Sequence, residues 1–303
     1  MVGAEEKTDS AAVVVGVDGS PGSRAALLWA MAYAGRRGAE LRVLSAFPVE
    51  TYWGDPMLMD ERRIEAVRSD TEGRVRELAD EVRSQSGAAS VAVDVMVVPG
   101  PAAHGVLAAA EGADLLVVGS RWRGSVRSTV LGSVALHAVT HARCPVVVVH
   151  PRLDSGSTAP RVVVGIDGSD GSRQALARAV AEAGRLDAEV TAVAAYTLRS
   201  YWSGAYQAVV PPVERLREAV RSDAEAMVAE VGGGATVRVL PVEGAAGDTL
   251  VRAAEGADLL VVGGRGRGAV RGMLLGSVAL HCVVNAPCPV MVVPAGRPGA
   301  AVG

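Results

Sequence analysis

Apolar residues along this chain fall into short unbroken runs, and between them lie longer stretches with helical spacing. Ala12–Val17 is the first run; it ends in Asp18-Gly19-Ser20 and leads into a helical stretch, Ser23–Arg37. Leu41–Phe47 is the second, followed by a polar, heptad-like helix around Asp60–Arg83 and a third run, Val91–Val98. Pro101 opens a helix to Glu111, Asp114–Gly119 is a fourth strand, and a helix Ser133–Ala142 precedes the last run, Pro145–Val149. Runs that are apolar at every position, not at every second one, suit strands covered on both faces. Strands alternating with helices predict a parallel sheet, and right-handed crossovers make it open and doubly wound.

The same course is then run again. VVVGVDGSPGSRAAL from Val13 recurs as VVVGIDGSDGSRQAL from Val162. AAAEGADLLVVGSR from Ala108 recurs as RAAEGADLLVVGGR from Arg252, and VLGSVALHAVTHARCPVVVV recurs as LLGSVALHCVVNAPCPVMVV. Matched blocks in matched order mean an internal repeat. The expectation is an α/β chain of two tandem, open, doubly wound, parallel five-stranded sheets. A flexible start covers 1–10, the first domain 11–150, a linker 151–160, the second domain 161–294 and a flexible end 295–303. The linker carries Ser155, Gly156, Ser157 and Thr158 between Pro151 and Pro160.

Composition narrows the class. Half of the 303 residues are hydrophobic and only 3% are aromatic, so the two cores must be built from Val, Ala and Leu. A net charge of −3 draws the chain toward neither nucleic acid nor an anionic membrane. Lys7 is the only lysine, so a phosphate site in the folded body must use arginine or backbone. Cys144, Cys282 and Cys288 make an odd set without CxxC spacing, which fits neither a disulfide framework nor a zinc site and suits a reducing cytoplasm. Glu5, Glu6 and Lys7 precede a short apolar run unlike a signal peptide, and no apolar stretch is long enough to span a bilayer.

Ligands of such sheets sit at the carboxyl ends of the strands, where strand order reverses. Two loops fall there. In Val17-Asp18-Gly19-Ser20 and Ile166-Asp167-Gly168-Ser169 the carboxylate either accepts hydrogen bonds from an adenine amine or a ribose hydroxyl, or merely turns the chain ahead of a Ser-capped helix. The second loop is Gly263-Gly264-Arg265-Gly266, then nine residues, then Gly276-Ser277 opening a helix. Glycines let a backbone approach phosphate, and the free N–H groups of a helix start favour an anion. Ser277 also reads as an ordinary helix N-cap.

With these blocks the chain resembles the universal stress protein family, in its nucleotide-binding branch. That family's ATP motif is Gly, two residues, Gly, nine residues, then Gly-Ser or Gly-Thr. Gly263, Gly266, Gly276 and Ser277 match it; in the first half Gly119, Gly132 and Ser133 match, and Trp122 replaces the second glycine. A glycine there allows close backbone approach or a positive φ. Trp122 then either alters the loop and crowds the phosphates, or stacks on the nucleotide. The resemblance implies ATP, with or without Mg, bound in the second half by Ile166, Asp167, Ala195, Gly263, Arg265, Gly266, Gly276, Ser277 and Val278. In the first half it implies Val17, Asp18, Ala46, Gly119, Arg121, Gly132, Ser133 and Val134. It also implies pairing of like domains within the chain, a homodimer as a further form, an unnamed protein partner, and a regulatory role in stress or dormancy.

Other chemistries fare worse. A P-loop needs Lys then Ser or Thr after its second Gly, whereas Gly124 is followed by Ser125-Val126. Without that lysine or an evident base, binding with slow or negligible hydrolysis is expected. The Gly fingerprint of a dinucleotide fold is not reproduced by Gly16, Gly19 and Gly22. His137 and His141 have metal-ligand spacing, but the copy has His281 and Asn285, which favours packing or capping. Cys144 and Cys288 precede Pro at a strand entry and read as buried thiols. Arg121, Arg123, Arg127, Arg265, Arg267 and Arg271 clamp a triphosphate or make a solvated face. Tyr52-Trp53 and Tyr201-Trp202 cover the adenine or close the core edge. A nucleotide-independent interaction scaffold of the same fold, and a weak ATPase, are the competing functions.

Overall fold

The computed structural model describes residues 12–47, 61–120, 131–151, 159–197, 213–268 and 274–295. The first half contributes β1 (Ala12–Gly16), α1 (Pro21–Arg37), β2 (Glu40–Phe47), α2 (Glu61–Ser86), β3 (Val93–Pro99), α3 (Ala102–Ala109), β4 (Leu115–Gly119), α4 (Ser133–His141) and β5 (Val146–Val149). The second repeats the course with β6 (Arg161–Gly165), α5 (Asp170–Leu186), β7 (Glu189–Tyr196), α6 (Val213–Val231) and β8 (Val237–Glu243). It continues through α7 (Ala246–Ala253), β9 (Leu259–Gly263), α8 (Ser277–Asn285) and β10 (Val290–Val293).

Each half is the expected parallel five-stranded sheet, but the two are continuous. One ten-stranded sheet runs β3-β2-β1-β4-β5-β10-β9-β6-β7-β8. Every neighbouring pair is parallel except β5 with β10, which is antiparallel, with Val147 opposite Met291. All residues of both strands are buried. A pair of exposed apolar edges would template association, and joining them removes that edge from each half. Helices α1, α2, α5 and α6 cover one face with a core that includes Leu27, Met31 and Met291; α3, α4, α7 and α8 cover the other with Leu116, Leu260 and Cys282.

Val147 and Met291 are equivalent positions of the repeat, so an approximate two-fold axis passes through their pair. Above it α1 meets α5. Tyr33 and Glu182, again equivalent positions, meet there: the Tyr33 hydroxyl donates to Glu182 Oε1 at 2.8 Å. Arg178 Nε and Arg185 Nη1 donate to the same carboxylate at 2.7 and 3.2 Å, and Arg37 and Arg178 reach the Tyr33 oxygen. Glu182 is only 1% exposed, and these donors satisfy its buried carboxylate. Burial first, and then the Glu182 charge, push the Tyr33 hydroxyl pKa up, which keeps it a proton donor. The repeat has therefore diverged at its own axis into a hydroxyl on one side and a carboxylate on the other.

Candidate functional site

In the second half the cleft forms where β6 and β9 part. Ile166 continues β6, its N–H donating to Val193 O at 3.0 Å, and the next residue, Asp167, stands at the turn. Ser169 caps α5, its hydroxyl accepting from Ser172 N–H. Beyond β9, Gly264 N–H donates to Val293 O, and Gly276 N–H donates to Gly264 O at 2.7 Å, which ties the glycine loop to the start of α8. These segments enclose a cavity of about 310 Å³. All nine residues expected in the second half line it: Ile166, Asp167, Ala195, Gly263, Arg265, Gly266, Gly276, Ser277 and Val278. Arg267 lines it as well.

The first half has the corresponding cleft, lined by Val17, Asp18, Ala46, Gly119, Gly132, Ser133 and Val134. Arg121, Trp122, Arg123 and Arg127 lie outside the described residues, as do Tyr52, Trp53, Tyr201, Trp202 and Arg271.

Three sequence readings change. Ser277 is not the N-cap of α8: Gly276 is, without a side-chain cap, and Ser277 is the exposed first helical residue. Gly132 and Ser133 repeat this on α4. The helix start is thus left open toward the cavity. Secondly, of the two reasons given for a glycine at position 266, positive φ does not apply and close approach does. A Cβ there would stand 2.5 Å from Asp167 Oδ2, so the glycine is required by the approach of the loop to the carboxylate. Thirdly, Gly263 is filled against by protein: its Cβ would meet the Gly171 carbonyl oxygen at 2.7 Å. Gly119 stands against Gly22 in the same way. Gly22 and Gly171 therefore belong to the architecture of the cleft. Their signal was in the sequence, since DGSPGS and DGSDGS keep that glycine while the residue before it changes.

Asp167 is surrounded by donors. Oδ1 accepts from Ser169 N–H at 3.0 Å and from the Ser169 hydroxyl at 2.5 Å, and Oδ2 accepts from Arg267 N–H at 2.9 Å. Desolvation raises its pKa, but hydrogen bonds from Ser169, Arg267 and Ser172 outweigh that and leave it lowered. Asp18 is lowered likewise, desolvation being outweighed by hydrogen bonds from Ser20 and Ser23. Asp167 is the one carboxylate among the described lining residues, which include no His or Lys.

The remaining candidates lie elsewhere. His137 and His141 are neighbours on α4 with ring centroids 4.3 Å apart, and His104 of α3 is 5.7 Å from His137. Burial and then the two other imidazoles lower the His137 pKa. Among the described residues no group of three or more His, Cys, Asp or Glu is arranged to hold a metal ion. All three cysteines are buried, and burial pushes Cys144 to about 11 and Cys282 to about 12. Among the described residues no helix is long and apolar enough to cross a membrane.

A doubly wound repeat, with a glycine loop facing a strand-end Asp in its second half, agrees with what comparison finds. The profile of the universal stress protein family matches residues 11–150 and again 159–294. This chain belongs to the universal stress protein family. The universal stress protein Rv2005c of Mycobacterium tuberculosis is 34% identical over 296 residues, covering 92% of this chain and 96% of the relative. Rv2623 of the same organism is 32% identical over 302 residues, covering 93% and 96%. Among solved structures, a universal stress protein from Archaeoglobus fulgidus shares the fold with a TM-score of 0.68 at 22% identity, covering 94% of this chain and 98% of that one.

Proposed function

We propose that the second half binds ATP, with or without Mg, and that the chain acts as a nucleotide-dependent regulator in stress or dormancy and not as a catalyst. The observation that carries this reading is the uncapped start of α8 at Gly276, opening on a cavity that also receives Arg265 and Arg267. A helix start without a side-chain cap offers N–H donors and the positive end of its dipole, and two guanidinium groups supply the charge that lysine supplies elsewhere. The apolar lining at Ile166, Ala195 and Val278 suits a flat base. Mg, where present, enters as the counterion of the triphosphate. Asp167, the one carboxylate among the described lining residues, already accepts from Ser169 and Arg267, which argues against a role as general base for hydrolysis.

Acid extraction of freshly purified protein, with chromatography of the released nucleotides, tests this first. Near-stoichiometric ATP supports it. An empty extract, followed by no heat on titration with ATP, ADP, AMP or cAMP, favours the nucleotide-independent scaffold. Measurable turnover of bound ATP favours the weak ATPase.

A further inference from the structure

Asp167 stands where a contact with the adenosine is the natural expectation, yet the protein itself surrounds its carboxylate. Oδ1 is taken by the Ser169 N–H and hydroxyl, and Oδ2 by the Arg267 N–H, from a residue one hundred positions away in sequence. Two further features show that the loop is shaped to this carboxylate. Gly266 has no room for a Cβ because Asp167 Oδ2 would be 2.5 Å from it. The guanidinium of Arg267 lies across Gly168, the residue after Asp167, so that a Cβ on Gly168 would overlap it. The backbone of residues 264–268 is thus pinned at its far end by one side chain from the turn that follows β6.

We propose that Asp167 is a positioning residue: its carboxylate is the peg that holds the Gly263–Gly268 loop in its binding conformation before any ligand arrives. This deepens the nucleotide reading but does not depend on it, because the peg is a property of the free protein. A carboxylate suits the role because it only accepts. An Asn keeps its single oxygen toward the two Ser169 donors and so turns its amide, itself a donor, against the Arg267 N–H. Binding then benefits from a loop that need not be ordered at the moment of encounter.

The peg is tested in the nucleotide-free full chain by amide hydrogen exchange, reading the Arg267 amide against the amides of β9 in the same domain. For Asp167→Asn we expect the Arg267 amide to exchange at least about tenfold faster, with β9 unchanged, and trypsin to cut after Arg265 and Arg267 correspondingly sooner. Asp167→Ala should do the same; where it fails to fold, the Asn variant alone is read. Unchanged exchange at Arg267 in Asp167→Asn overturns the proposal, even if ATP affinity falls, since Asp167 then acts only by touching ligand. Faster exchange spread equally over β9 also overturns it, because that is global destabilisation. Faster loop exchange in a protein that binds no ATP upholds the peg while refuting the nucleotide reading, so the two failures are told apart.

Discussion

Gly266→Ala is the smallest change that asks whether the loop and the strand-end carboxylate form one site. The added Cβ would lie 2.5 Å from Asp167 Oδ2, where about 3.4 Å is ordinary contact. Neither partner yields freely: Asp167 is fixed by Ser169, and Gly264 is fixed on both sides, its N–H to Val293 O and its carbonyl to Gly276 N–H. The loop must therefore withdraw, and the Arg267 N–H loses its carboxylate. A hydrogen bond to a charged group is worth about 1.5–3 kcal/mol, which corresponds to roughly a 10- to 150-fold loss of ATP affinity. The fold should survive, since Gly266 is exposed and outside the sheet. Titration calorimetry with ATP, alongside a thermal melt, reads both. Wild-type affinity in Gly266→Ala would refute the reasoning. So would a collapse of the melt, since the residue would then be holding the domain and not the loop. The same geometry bears on the first half, where Trp122 takes the position of Gly266: the second-half loop conformation has no space for such a side chain beside its Asp.

Further outcomes follow from the interface and from titration. Tyr33→Phe removes a hydroxyl that donates to the buried Glu182, and should cost about 1.5–3 kcal/mol in a denaturant melt; Glu182→Leu leaves Arg178 without its carboxylate and should cost about 3–5 kcal/mol. Equal melts for wild type and Glu182→Leu would show that this network contributes nothing to joining the halves. Asp167 has a folded pKa below its unfolded value, so its hold on the loop is present at neutral pH and is lost only as pH falls through the folded value. Exchange at the Arg267 amide, corrected for intrinsic rates, should then be flat from about pH 5 to 8, below which the ordinary aspartate range near 3.9 begins; a step within that interval would place another group in control. Cys282, with its pKa raised to about 12 by burial, should resist a charged thiol reagent at pH 8 until the protein unfolds, and rapid labelling of the native chain would contradict its burial.

Much of this was legible in the chain. Runs such as Val13–Val15 and Leu115–Val118, apolar at every position, announce buried parallel strands, and the structure buries every one of those residues. The repeat announces the second sheet. What pattern alone does not give is the partner of each residue across space. The glycines of the loop read as space for phosphate, but Gly263 is closed by Gly171 and Gly266 by Asp167, contacts that need the two loops brought together. Ser277 has the chemistry of an N-cap and misses that position by one residue, because Gly276, tied to Gly264, already occupies it. Likewise the divergence of Tyr33 and Glu182 looks like drift in an alignment and acquires meaning only because the axis brings the two together.

On the proposed reading the second half holds ATP through the start of α8 and the loop before it. A Cβ on Gly276 would already stand 3.3 Å from the Gly264 carbonyl oxygen and 3.6 Å from Arg265 Cα, so the branches of a valine would force the loop away from the start of α8. Calorimetric titration of the stripped full chain with ATP, repeated on Gly276→Val and on Trp122→Gly, measures it directly. One tight site in the native chain is predicted, abolished by Gly276→Val without loss of the fold, with a second site weak or silent until Trp122→Gly restores it. Full ATP affinity in a folded Gly276→Val, or two equal sites in the native chain, would contradict the account.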